Sequence, residues 1–199
     1  MIRTGDTIDN PVTGERLVFH RTSADTGGEF VLLETIVQPR GFVAAAHVHP
    51  FQSERFEVIS GSLGLRVGRE RLVAGPGEII TVHPGTAHRF WNAGRGDVRF
   101  MCEVRPALQF ERLLETMFAL ARAGKTNRKG MPNKLRLAVI ARAHFDVVRL
   151  PFPPVPLQRA GLAVGAALGR IAGYQASFVP GPPSPSVGPL ILGEPGSAA

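Results

Sequence analysis

The sequence is poor in cysteine, tryptophan and tyrosine, with one of each in 199 residues. A single cysteine, Cys102, closes no disulfide within the chain and excludes a zinc site built from several thiolates of one chain. No run of about 18 apolar residues occurs, so no segment reads as a membrane-spanning helix. The opening stretch MIRTGDTIDNPVTGERL lacks the apolar core of a secretory leader, and with the lone cysteine this gives the expectation of a cytoplasmic protein. Hydrophobic residues at 44% and charged residues at 20% are those of a globular chain, and the length suits one core with an appendage.

Acidic residues are scarce in the second half, and this is where the net charge of +7 arises. Residues 1–103 hold 11 arginines against 12 acids, whereas residues 104–199 hold 12 basic residues against Glu111, Glu115, Asp146 and Glu194. The excess belongs to the appendage. It reads as a solvated basic helical face, because charge alone speaks of association and solubility rather than of fold.

Short apolar runs broken by Gly, Pro, Asn and Asp fill the first half, at 16–22, 29–38, 44–49, 55–60, 63–67, 71–73, 78–82, 88–92 and 98–104. This is the pattern of many short antiparallel strands, hence of a β-sandwich or barrel. After Pro106 the period changes. Phe110, Leu113, Leu114, Met117, Leu120 and Ala121 form one apolar stripe on a helix over 107–123. Further helices are predicted over 134–148 and 157–174, on either side of a proline cluster at 151–156. The division is therefore a β-barrel over 1–105, a helical extension over 106–176, and a Pro/Gly-rich tail over 177–199 that reads as disordered. The small-residue helix GLAVGAALGRIAG is expected to pack on its own domain. Peripheral contact with a membrane is the less favoured alternative.

The chemistry concentrates between Gly41 and Asn92. His47 and His49 are two apart on a predicted strand, so both leave one face with Cα atoms roughly 6.6 Å apart. Two imidazoles so placed can meet on one ion about 2.1 Å from each nitrogen. Glu54 follows after a turn, and His88 opens a later strand behind the turn at Pro84 and Gly85. The series Gly41, His47, His49, Glu54, Gly61 and the series Gly77, Gly85, His88, Asn92 resemble the two sequence motifs of the cupin superfamily in residue type and spacing. One position departs, His83 standing where the family usually has proline, with Pro84 directly after it; His83 is expected to serve that turn.

The resemblance spans about residues 29–104, with its motif core at 41–92. It implies a mainly β fold, an antiparallel cupin β-barrel (a double-stranded β-helix or jelly roll) carrying here a C-terminal α-helical extension. It further implies that His47, His49, Glu54 and His88 bind one divalent ion of iron, manganese, nickel, zinc or copper. Glu54 is the expected catalytic group. Val43, Ala45, Phe51, Phe56, Phe90 and Met101 are the candidate walls of a pocket for a small molecule. The first functional expectation is a metal-dependent oxygenase of quercetinase-like type. A non-redox isomerase or cyclase, and a non-catalytic ligand-binding cupin, are the alternatives. His20 and His144 read as ordinary structural histidines, and Cys102 as a small buried side chain. A homodimer is expected, since strand edges and apolar helix faces want cover. A nucleic acid is not: the loop between the first two predicted helices is too long for a helix-turn-helix.

Overall fold

The computed structural model describes residues 2–178; the predicted tail therefore falls, from residue 179 onward, outside the described residues. Nine strands precede three helices: β1 Thr7–Asn10, β2 Glu15–Arg21, β3 Val31–Val37, β4 Ser53–Ser60, β5 Leu63–Val67, β6 Glu70–Ala74, β7 Ile79–Val82, β8 His88–Asn92, β9 Val98–Arg105, then α1 Phe110–Arg122, α2 Lys134–Ala143 and α3 Val155–Ile171. All named strand pairs are antiparallel, in one sheet of order β1-β2-β3-β9-β4-β7 and another of order β6-β5-β8. The small sheet is widened by an irregular segment. Phe42 and His47 bridge Trp91 and His88 on β8, and Val48 bridges Arg149 from beyond α2.

Alternation decides which side chains make the core. Along β9, Val98, Phe100, Cys102 and Val104 are buried while the residues between them reach the outer face, as a period of two requires. Along β4 the same rule turns Glu54 inward together with Phe56 and Val58. From the small sheet Leu63 and Leu65 meet this face, both fully buried. Phe56, Phe90 and Phe100 form an aromatic group between the sheets, with ring centroids 5.5 to 6.1 Å apart, a spacing that favours tilted and edge-to-face contacts.

Three predicted elements need correction, and one strand is additional. The strand expected over 44–49 is interrupted: between the bridges there are five steps on this segment but three on β8, so two extra residues push the chain out at Ala44 and Ala45. The pair β1 was not foreseen because TIDN holds one apolar residue, Ile8. Helix α2 stops at Ala143, where the His144 N–H still bonds Ile140 O; a turn closed by the Val147 and Val148 N–H groups on His144 O follows, and Arg149 then pairs with Val48. Helix α3 starts earlier than expected, since Pro156 stands in its first turn, where a missing N–H costs nothing.

The small-residue run in α3 faces α2. A Cβ on Gly169 would lie 2.6 Å from the Leu135 carbonyl oxygen, and one on Gly165 2.9 Å from Ala138, so only glycine permits this close crossing. Among the described residues no helix is long and apolar enough to cross a membrane.

One acid is buried away from the histidines. Glu15 accepts a hydrogen bond from Thr13 Oγ1 at 2.6 Å, yet burial pushes its carboxyl up to about 7, Thr13 opposing only part of the rise. The folded state thus keeps a proton that the unfolded chain has already lost above about pH 4.5. Stability must fall as pH rises through that window. Glu15→Gln should therefore stabilise the fold at pH 8, by up to about 3 kcal/mol, and bring little at pH 4. Urea unfolding at the two pH values checks this; an equal effect at both would contradict it.

Candidate metal centre

Backbone pairing sets the first two donors. His47 and His88 exchange both main-chain hydrogen bonds, each 2.9 Å, which brings their side chains to one face with ring centroids 4.3 Å apart. His49 lies two residues on, its ring 4.9 Å from that of His47. Glu54 comes from the opposite sheet, where its neighbours across the strands are Val82 and Val104. Its Oε2 is 2.5 Å from His88 Nε2 and 3.6 Å from His49 Nε2. One donor atom from each of the four lies within 4.8 Å of the others. Donors bound about 2.1 Å from a single ion are roughly 3–4 Å apart, so a small contraction closes the set.

The hydrogen bonds behind the rings fix which nitrogen faces the centre. Nδ1 of His47 bonds Ala45 O at 2.9 Å, Nδ1 of His49 bonds Val147 O at 2.6 Å, and Nδ1 of His88 bonds Thr86 O at 3.0 Å. A carbonyl oxygen only accepts. Each Nδ1 must therefore carry a hydrogen, so each ring turns its Nε2 inward, and in His88 that nitrogen shares a proton with Glu54 Oε2, the arrangement that orients metal-binding imidazoles. His49 Nε2 is buried with no hydrogen-bond partner, a cost that a cation at the centre would remove. The donor set fits a divalent ion.

Electrostatics agree. Burial raises the Glu54 carboxyl, but His49, His88 and His47 together bring it down to about 2. Burial, and then the neighbouring His88 and His49, take His47 down to about 3. Burial also lowers His88, but its bond to Glu54 and that carboxylate's charge outweigh it, and the net shift is upward. A cation between His88 and Glu54 would replace the proton they share. An ionised carboxylate beside neutral imidazoles is the state in which such groups coordinate.

The helical extension, residues 106–176, completes the site. Besides Val147, Phe110 of α1 sets its ring 5.6 Å from that of His49. Gln52, 1% exposed, places Oε1 3.2 Å from His49 Nδ1 while its Nε2 donates to Pro106 O at 2.8 Å and Ala107 O at 3.1 Å. The available signal for Gln52 was its position in the turn between two donors. Val147 acts through its backbone, which leaves no signal in residue type.

The remaining predicted residues separate. Phe56 and Phe90 belong to the interior aromatic group, and Val43, Ala45 and Phe90 line, with Arg89 and Trp91, a cavity of about 490 Å³ to which none of the four donors contributes. Phe51 and Met101 do not serve as walls. Phe51 is 57% exposed and stands under Arg149, and Met101 pairs across the large sheet with Glu34 and Glu57 on its outer face. His20 joins Glu34 on that same outer face, and His144 ends α2. The His83 carbonyl accepts the Thr86 N–H at 3.2 Å, closing the turn. Cys102 is buried 3.9 Å from Glu54 Oε1, its thiol pushed well up by burial and then by Glu54.

The Cupin domain model matches residues 33–104, which hold all four donors. Those residues are a cupin domain. The jelly-roll order of its strands and the inward donor set agree with that membership. No curated protein matches the chain. Among solved structures, a Klebsiella pneumoniae protein with a double-stranded β-helix domain is 27% identical over 41% of this chain and 66% of its own, with a TM-score of 0.39. The polyketide cyclase RemF of Streptomyces resistomycificus is 24% identical over 53% and 78%, TM-score 0.44. A cupin sugar phosphate isomerase of Silicibacter pomeroyi is 21% identical over 48% and 62%, TM-score 0.42. This chain therefore spans just under two thirds of the first of these proteins.

Proposed function

We propose that this cupin is a metal-dependent enzyme acting on a small organic molecule that carries an ionisable oxygen, and that its reaction is an oxygenation of quercetinase-like type. The observation that carries this reading is the lack of a spare base. All four titratable groups at the centre are donors, and among the described residues the other titratable group in contact with them is Cys102, whose thiol is held neutral. An isomerase or cyclase that relays protons needs a free base near its operating pH. An enol that enters already ionised does not.

His47, His49, Glu54 and His88 would hold a divalent iron, manganese, nickel or copper ion, which would supply Lewis acidity and a route for dioxygen chemistry. The chain's own groups do the rest. Glu54 stays ionised and offsets the charge of the cation, and with a carboxyl held at about 2 it accepts a proton only weakly. Ala45, Val147 and Thr86 hold the imidazoles in one tautomer. Phe56, Phe90 and Phe100 keep water from the interior side of the centre, where a low dielectric strengthens every charge interaction.

Oxygen uptake by the metal-reconstituted protein, measured with a panel of small enolic aromatic compounds, tests the reading. Uptake coupled to substrate loss, and abolished in His88→Ala, is expected. Equal turnover without oxygen would overturn it in favour of a non-redox isomerase or cyclase, and saturable binding with no turnover would make the chain a ligand-binding cupin.

A further inference from the structure

The outer face of the small sheet carries charged groups that the metal centre does not use. Register places Arg71, Arg66 and Arg89 side by side across β6, β5 and β8, with Val73, Gly64 and Trp91 in the next row. Like charges directly opposite one another destabilise a sheet. The arginines that form ion pairs among the described residues are others: Arg16, Arg55, Arg99, Arg105 and Arg149. The row is thus built at a cost, and no acid stands in register with Arg66, Arg71 and Arg89 to offset it.

Next to this row is a ring platform. The indole of Trp91 lies against Gly64, where an added Cβ would come within 2.2 Å of it. The guanidinium carbons of Arg71 and Arg89 lie 4.8 and 5.8 Å from the indole centroid. The two extra residues at Ala44 and Ala45 hold the neighbouring segment away from β8, and the gap is the cavity of about 490 Å³ lined by Phe42, Arg71, Arg89, Trp91 and Lys129 among others. Lys129 arrives on the basic loop after α1, where a Cβ added to Gly130 would lie 3.1 Å from the Ala44 Cβ. That volume is typical of a small-ligand site. Three cations and three aromatic residues, Phe42, Phe90 and Trp91, line it, and no acid does.

We propose that this cavity binds a small organic phosphate, its oxygens between Arg71, Arg89 and Lys129 and its ring against Trp91 and Phe42. A phosphate monoester brings close to two negative charges and three acceptor oxygens, which suits two guanidinium forks and an ammonium better than the single charge of a carboxylate. Arg71 and Arg89 are exposed and can turn from the indole to an anion. The cations of the site come from the outward row of β6 and β8 and from the loop after α1, none of the four donors lines the cavity, and its occupancy does not depend on a metal.

Trp91 is the single tryptophan, so its fluorescence reports on this cavity alone. The metal-free full chain, titrated with phenyl phosphate, should show a saturable change in emission, a weaker response to inorganic phosphate, and none to phenol. The double variant Arg71→Gln with Arg89→Gln should bind phenyl phosphate about tenfold or more weakly, from the loss of two charge-assisted hydrogen bonds. Its thermal midpoint should equal or exceed that of the parent, because the like-charge row is relieved. Lys129→Gln, on a loop, should weaken binding severalfold and decides the matter if the double variant does not fold. No saturable change up to about 10 mM, an equal response to phenol, or unchanged affinity in the variants would overturn the proposal. Far tighter binding of single-stranded oligonucleotides, growing with their length, would replace the small phosphate by a nucleic acid.

Discussion

His88→Ala should lower the affinity for divalent metal by well over about 100-fold, since loss of a group that merely orients a ligand already costs roughly 10–100-fold. His88 gives the centre an inward Nε2, holds Glu54 at 2.5 Å, and ties its backbone to His47. Removing the imidazole leaves the carboxylate with His49 at 3.6 Å and the Cys102 thiol at 3.9 Å. Added metal binds the folded state and so raises the unfolding midpoint of the parent protein. That rise should vanish in His88→Ala and persist in His20→Ala, whose ring sits with Glu34 on the far side of the large sheet. A metal-dependent rise of equal size in all three proteins would remove His88 from the donor set.

Phe100→Ala should cost about 3–5 kcal/mol, the range for deleting a fully buried phenylalanine. Phe100 is 0% exposed and lies between Phe56, at 5.8 Å, and Phe90, at 5.5 Å. These rings come from both sheets, so the space left behind cannot close without moving two hydrogen-bonded layers together. Urea unfolding with an unchanged slope should show the loss. A cost below about 1.5 kcal/mol would mean that the interior repacks, and that the sheets are less rigidly spaced than their pairing implies.

The contrast between these residues shows what the sequence made legible. Strand alternation carried Phe90 to the face of His88, and motif spacing grouped His47, His49, Glu54 and His88, because those signals are local and periodic. Alternation alone could not fix the face of Met101, nor show that Phe51 lies outside, since each depends on register with a strand distant in sequence. The break at Ala44 and Ala45 was invisible for the same reason: two extra residues show only against the partner β8. Most of all, the carbonyl of Val147 reaches His49 across 98 residues of chain. Backbone groups carry no residue-type signal, so the contribution of the helical extension to the centre emerges only from the fold.

That contribution alters how the extension is understood. Its charge made it look like an independent basic appendage, yet Arg149 extends the small sheet through Val48, Phe110 packs on His49, and the Pro106 and Ala107 carbonyls hold Gln52. The barrel and its extension share one polar network around the donors, and such networks hold their geometry only when every member is satisfied.

The central claim is that four residues hold one divalent ion, and elemental analysis of the full chain, reconstituted with iron, manganese, nickel, copper or zinc and then freed of excess metal, tests it most directly. The account predicts close to one equivalent per chain for at least one of these metals. No retained metal under any of these conditions would contradict it.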